Sequence, residues 1–365
     1  MAPASTAFVA ALPKLELHMH IEGGLTPRLR FALAARNGIP QRWATADEAA
    51  ADYDRMFHES LDGSVPEEEG ARRFFDAYYG GMEVLRTEED FYDLAMEYYT
   101  RCERMKVRYC ETFFDPQAHT RRGVALDAVM KGLRRAKVEA EEKLGLTCRW
   151  IMCFLRDEPV SSAMETYAAA LPYRDMIHGI GLDSNEYGRG PLLFDDLYKR
   201  ARADGFHLTA HCDVNVTHTH AHIRDVVCSL GGGTGIGRVD HGLNAAEDSE
   251  LLALVKERRV GLTGCPYGVY TYLFHRKNED ALFQGMFRKL LDAGVLLTIN
   301  SDDPAYMGDN WLVENILVVV DKCGLMKEEV IRLQRNAVEI SWAPEAVKSR
   351  ILEEIEDFVG SFEDS

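Results

Sequence analysis

The sequence predicts a (β/α)8 barrel of the TIM type with additional helices. Three observations carry this. Short β-like runs alternate with helical patterns through most of the 365 residues, there are eight such runs, and His and Asp recur where the runs end. Strand–helix alternation over about 250 residues or more predicts a parallel sheet, and eight units favour closing it into a barrel. The chain has no internal repeat and no low-complexity linker, so residues 1–365 are expected to form a single domain.

The elements follow in order. "KLELHMHI" (14–21) alternates like a strand and meets Gly23 and Gly24. "TPRLRFALAARNG" carries Pro27 early and Gly38 at its end, the start and stop signals of a helix. Residues 40–70 are polar and read as an irregular insertion. Two amphipathic helices, "RRFFDAYYGGMEVL" and "EEDFYDLAMEYYTRCERM", precede the strand "VRYCETFF" (107–114). Further strands are expected at 147–155, 177–183, 207–212, 236–242, 259–265 and 295–303, most of them followed by a helical pattern. The acidic end, "LEEIEDFVGSFEDS", reads as a helix with a frayed tail.

Composition narrows the function. With 42 basic and 59 acidic residues the net charge is −17, a field that repels phosphate backbones and excludes nucleic acid as a partner. The eight cysteines are dispersed, with no CxxC pair, as expected of reduced thiols. The start lacks a basic region before its short apolar run, so it does not read as a signal peptide. No run approaches the ~20 apolar residues of a membrane span. A cytoplasmic protein is expected.

Active sites of such barrels lie where strands end and loops begin. The polar residues there are His18 and His20, Glu111, Asp183, His211, His241, and Asp302 with Asp303. Residues i and i+2 of a strand share a face, so His18 and His20 can chelate one ion together. With His211 and Asp302 they make three imidazoles and a carboxylate, a set suited to Zn2+ or another first-row divalent ion. A coordination position left to water would give hydroxide at neutral pH. His218, His220 and His222 fit a solvated loop or helix start, a second metal site, or contacts to substrate. His119 and His207 read as structural, and His58 and His275 as surface residues.

Together these residues make the chain resemble the adenosine/adenine deaminase family of metal-dependent hydrolases, in its adenine deaminase-like branch. The resemblance runs from about residue 11 to 345. It rests on "LPKLELHMHIEGGLTP", "YYGGMEVLRTEEDFYDLA", "YCETFFDPQAHTRRGV", "GLDSNEYG", "RVDHG" and "LTINSDDPAYMG". It implies a barrel holding one zinc on His18, His20, His211 and Asp302. It implies that His241 orients the attacking water and stabilises charge, and that Asp303 contacts the purine near N7. Asp183, Ser184 and Glu186 fall in the loop lining the base, and Glu22 is grouped with the substrate contacts. The implied reaction is hydrolytic deamination of a 6-aminopurine (adenine, adenosine or a modified derivative) with release of ammonia.

Two departures stand out. The family places a glutamate three residues after the third histidine, as proton donor to the ring and then to the leaving amine. Here the stretch reads His211-Cys212-Asp213-Val214, and valine carries no proton. Asp213 can serve from one position earlier if the backbone has left the strand, because regular alternation would turn it away. Alternatively, His218 or His220 supplies the proton, or the substrate has a better leaving group. A third reading is a divergent member that hydrolyses another amino-heterocycle, or binds purine with little turnover. The second departure is "CPYGVYTY" where the family has Cys-Pro-Leu-Ser-Asn; Tyr267, Tyr270 and Tyr272 are expected near the pocket rim. With "SNEYG" it suggests an altered substrate, a modified or enlarged purine, against the alternative of neutral drift with adenine retained.

Overall fold

A computed structural model describes residues 3–61 and 64–362. The expected barrel is present. We number its strands β1 (Lys14–His20), β2 (Val107–Phe114), β3 (Thr147–Leu155), β4 (Ile177–Asp183), β5 (His207–Leu208 and Ala210–Cys212), β6 (Arg238–His241), β7 (Gly261–Gly264) and β8 (Leu296–Ile299). All neighbouring pairs are parallel. β5 is interrupted at Thr209, whose N–H still donates to Ile180 O (2.9 Å) and so carries the sheet across the break. The ring closes just past β8: His20 N–H donates to Asp302 O and Asp302 N–H to His18 O, both at 3.1 Å.

The last three strands are shorter than their apolar runs suggest. The reason is backbone conformation at their ends. His241 ends β6 with φ 61°, Arg259 precedes β7 with φ 52° and Asp302 follows β8 with φ 67°, each a left-handed residue that takes the chain out of the ladder; Ser184 (φ 68°) does the same just past β4. Strand β1 is buried along its whole length, as expected for a sheet covered by helices.

Charges fill the lower barrel and are matched there. Glu111 lies in mid-strand rather than at a strand end, ion-paired with Arg238 and accepting the Trp342 N–H (2.6 Å). Arg238 stacks on the Trp342 ring at 3.8 Å. Lys14 Nζ donates to the carbonyls of Ala10, Leu12 and Met105 at 2.7–3.1 Å.

Residues 40–70 are not irregular. Ala46–Leu61 is a helix, and Glu67–Gly81 a second one packed on it. Ala49, Tyr53 and Phe57 are buried at i, i+4 and i+8, a single apolar stripe among charged residues. The pair stands over the C-terminal mouth of the barrel. The chain ends in the helix Glu345–Ser361; residues 363–365 of the acidic tail lie outside the described residues. No helix among the described residues is long and apolar enough to cross a membrane, and all eight cysteines are free thiols.

Candidate functional site

The strand ends bring four donor groups together. His20 Nε2 and His211 Nε2 are 3.1 Å apart, and Asp302 Oδ1 lies 3.2 Å from His18 Nε2 and 3.6 Å from His20 Nε2. His18 and His20 come from one face of β1, as their spacing requires. His211 sits in the second half of β5. Asp302 is carried in by the turn after β8, whose left-handed backbone is a conformation that Asp tolerates better than most residues. Burial keeps all three imidazoles neutral; it lowers His20 to about 4 and His18 and His211 well below their ordinary value.

A second layer fixes the ring orientations. His18 Nδ1 lies 2.8 Å from the Thr263 hydroxyl, which donates to Asp240 Oδ1 (3.0 Å). The other Asp240 oxygen is 3.5 Å from His211 Nδ1 and accepts from Thr209 Oγ1 (2.6 Å). Asp183 Oδ2 faces His20 Nδ1 at 3.5 Å. The outward Nε2 of His18 is buried without a hydrogen-bond partner among the described residues. A buried polar atom left unpaired is costly. Here it points at the other three donors, so the set fits a divalent first-row ion.

His241 closes the cluster. Its Nε2 is 3.3 Å from Asp213 Oδ1 and 3.8 Å from Asp302 Oδ2. Strand β5 stops at Cys212, so Asp213 is free of strand alternation, and it and Val214 both face the cavity. The Asp213 backbone is pinned from both sides: its N–H donates to Glu186 Oε1 (2.8 Å) and its carbonyl accepts from Thr219 Oγ1 (3.0 Å). Burial, with the Glu186 carboxylate nearby, pushes the Asp213 carboxyl up to about 7.

The cavity floor also carries Asp183, Ser184 and Asp303, as expected from the sequence. Asp183, Ser184 Oγ and Asp303 Oδ1 are buried without hydrogen-bond partners among the described residues. Burial raises both carboxyls well above the usual range; Asp115 adds to it for Asp183, and Asp302 for Asp303. Gly23 lets the β1 turn pass against Asp303: a Cβ there would lie 2.2 Å from Asp303 Oδ1 and 2.6 Å from its Cα.

Two expected substrate contacts lie behind the cavity instead. Glu186 is fully buried under the Asp213 loop, paired with Arg156 (2.7 Å) and His222 Nδ1 (3.0 Å). Arg156 is itself buried, and the Glu186 carboxylate is its ion-pair partner; turning toward the cavity would strand that charge. Glu22 turns away to His119 Nε2 (2.8 Å) and the Asp115 N–H (3.1 Å).

The histidine-rich stretch divides. His222 is the Glu186 partner, and His220 makes a surface contact to Glu247 (2.9 Å). His218 sits left-handed before the following helix, and none of the three lines the cavity. His119 is buried in the Glu22 contact, His207 stacks on Trp342, and His275 pairs with Asp280 at the surface. The side chain of His58 lies outside the described residues.

The expected tyrosine rim is also corrected. Tyr270 turns outward to His275 and Asp280, and Tyr267 does not reach the cavity; Val269 and Leu273 do. The segment 266–277 is an irregular helix, so the two-residue alternation that would group the tyrosines does not apply. The side chain of Tyr272 lies outside the described residues.

Asp115, like Asp240 behind the histidines, is a site residue that sequence reasoning missed. It follows β2 directly and lines the cavity, four residues beyond Glu111, the position the sequence favours for a strand-end acid. The pattern "ETFFDP" held the signal, because the apolar run ends at Asp115 and not before it.

With this geometry in view, comparison with known proteins is decisive. The sequence matches the adenosine deaminase family over residues 13–358. The chain belongs to that family. It is 37% identical to an uncharacterized deaminase of Schizosaccharomyces pombe, over 98% of each chain. It is 38% identical to an adenine deaminase of Vibrio parahaemolyticus, over 97% of this chain and 98% of that one. The crystal structure of adenine deaminase from Arthrobacter aurescens superposes with a TM-score of 0.84 at 34% identity, covering 96% of this chain and all of that one.

Proposed function

We propose that this protein is a zinc-dependent aminohydrolase that removes the 6-amino group of adenine or an adenine derivative. The observation that carries this is the convergence of His18, His20, His211 and Asp302, with the buried His18 Nε2 left without a hydrogen-bond partner among the described residues, beside the His241–Asp213 contact. Family membership and the adenine deaminases among its relatives support the purine assignment.

His18, His20, His211 and Asp302 would hold the ion, which when bound supplies an activated water at neutral pH and Lewis acidity. Asp240, through Thr263, keeps the His18 lone pair directed inward, and its other oxygen does the same for His211. His241 takes the proton of the attacking water and stabilises charge as the ring carbon becomes tetrahedral. Asp213 takes the place of the family's glutamate: it holds the proton at the ring nitrogen N1 and passes it to the departing amine. Its position carries this role, since its carboxyl faces both His241 and the cavity. Asp303 meets N7, and Asp183 with Ser184 lines the base. The reading takes residues 1–365 as one catalytic domain acting on a small molecule in the cytoplasm.

The test is turnover with metal-reconstituted protein and adenine, reading hypoxanthine and ammonia together with metal content. One equivalent of zinc and stoichiometric products are expected; bound metal with no product from any aminopurine defeats the proposal. Val214 favours one second reading, a purine-binding protein with little turnover. An adenine complex that persists unhydrolysed for hours would establish it.

A further inference from the structure

We infer that the preferred substrate is an aminopurine base with an uncharged, apolar substituent on the leaving nitrogen, so that a primary amine rather than ammonia departs. This rests on the deaminase reading above and specifies its substrate class.

The cavity has two halves. Its polar groups gather on the floor, at the strand ends. Its remaining lining is mostly apolar: Phe74 and Phe75 from the second mouth helix, Val214 and Val216 from the loop after β5, and Val269 and Leu273 from the irregular helix, with Asn215 and Lys277 the polar members of those last two segments. Bare adenine offers only its ring faces and C–H edges to such a wall, and carries no alkyl group to cover the rest of it. The position of the wall tells where the extra group sits. The proton donor for the departing amine is Asp213, so that amine must face Asp213. The next cavity-lining side chains along the same loop are Val214, Asn215 and Val216, and Val214 is buried. An alkyl group on the nitrogen would lie on these valines, where a free amino group would lose hydration against them. Valine at 214 then serves as part of the leaving-group pocket.

The same lining disfavours a nucleotide. Five aspartates (115, 183, 213, 302 and 303) line the cavity, and among the described residues no arginine does, with Lys277 as its one lysine. A phosphate ester would face carboxylates without the guanidinium partner that usually recognises it.

The chemistry balances. Water adds its oxygen to C6, the C6–N bond breaks, and the alkylamine leaves with the proton delivered by Asp213. The products are hypoxanthine and RNH2, with no oxidant or co-reactant.

The experiment measures kcat/KM on the zinc-loaded full chain for adenine and N6-methyl-, N6-propyl-, N6-pentyl- and N6-benzyladenine, with 9-propyladenine, adenosine and AMP as controls. Hypoxanthine (or the matching 6-oxopurine) and the released amine are both followed. The expected result is a rise of about fourfold per buried methylene until the wall is covered, with N6-propyladenine at least about tenfold above adenine and AMP lowest. Val214→Asn should lower the N6-propyl/adenine ratio about tenfold, and Val216→Thr gives a second, milder reading of the same ratio should the first variant fold poorly. Adenine as the best substrate, with rates falling as the N6 group grows, overturns the inference and leaves the deaminase reading standing. So does 9-propyladenine outrunning its N6 isomer, or AMP or adenosine outrunning the bases. No product from any compound, with zinc bound, overturns both.

Discussion

Both ends of the barrel bury charge, the mouth more of it, yet they treat it in opposite ways. At the lower end Glu111 has Arg238 and the Trp342 N–H, and Lys14 has three carbonyls; the second Arg238 amino group is the exception that lacks a partner. At the mouth His18 Nε2, both Asp183 oxygens, Ser184 Oγ and Asp303 Oδ1 have no hydrogen-bond partner among the described residues, although His18 Nε2 and Asp183 Oδ2 face Asp302 (3.2 Å) and His20 (3.5 Å). What separates the ends is whether the buried groups find hydrogen-bond partners within the protein. Burying a polar atom unpaired costs roughly 1–3 kcal/mol, and a cluster of such atoms makes sense where a ligand supplies the missing contacts.

That contrast can be broken or sharpened by substitution. The largest effect is expected from the mouth ligands. His18→Ala or Asp302→Asn should lose bound metal and reduce turnover by more than ~10³-fold, while the unfolding midpoint of the metal-free protein changes little; metal analysis with kinetics checks both. Asp213→Asn should retain the metal and lower kcat by about 10²–10⁴-fold; an unchanged kcat removes Asp213 from the mechanism. Asp240→Asn acts through His18 and His211, and a loss of about 10–100-fold in metal affinity is expected in a competition titration with a chelator.

At the lower end the readout should switch from chemistry to stability. Glu111→Gln breaks a buried pair and should cost about 3–5 kcal/mol in denaturant unfolding, with kcat per folded, metal-loaded molecule unchanged. A smaller effect concerns pH. Burial, with Arg108 and Lys106 nearby, lowers Lys14 to about 7 from 10.5. Between these values the unfolded chain holds a proton that the folded one has released. Stability from this group therefore rises with pH across that window. Lys14→Met should flatten the slope when denaturation midpoints at pH 7 and 9.5 are compared.

Much of the mouth was legible in the sequence because strand ends announce themselves. His18 and His20 share a face by alternation, and His211, His241, Asp302 and Asp303 stand where apolar runs stop. Orientation beyond the strand was not legible. Glu22 and Glu186 sit beside site residues in sequence but turn toward His119 and Arg156, partners that lie 97 and 30 positions away in the chain. Glu111 was mistaken for the strand-end acid because it is the polar break in "VRYCETFF", whereas the strand runs on to Phe114 and delivers Asp115. The helix Ala46–Leu61 was hidden by its charged residues, although Ala49, Tyr53 and Phe57 already marked its buried stripe.

The positive φ at Ser184, His241 and Asp302 carries a consequence for variation at this site. Each of these positions must supply a functional group and also accept a backbone shape that branched residues resist. Few amino acids meet both demands, chiefly Asp, Asn and His, with Ser at 184. Saturation libraries at 241 and 302 should therefore return very short tables of active clones, and drift toward new chemistry has more room at 214 and 216, where the backbone is not left-handed.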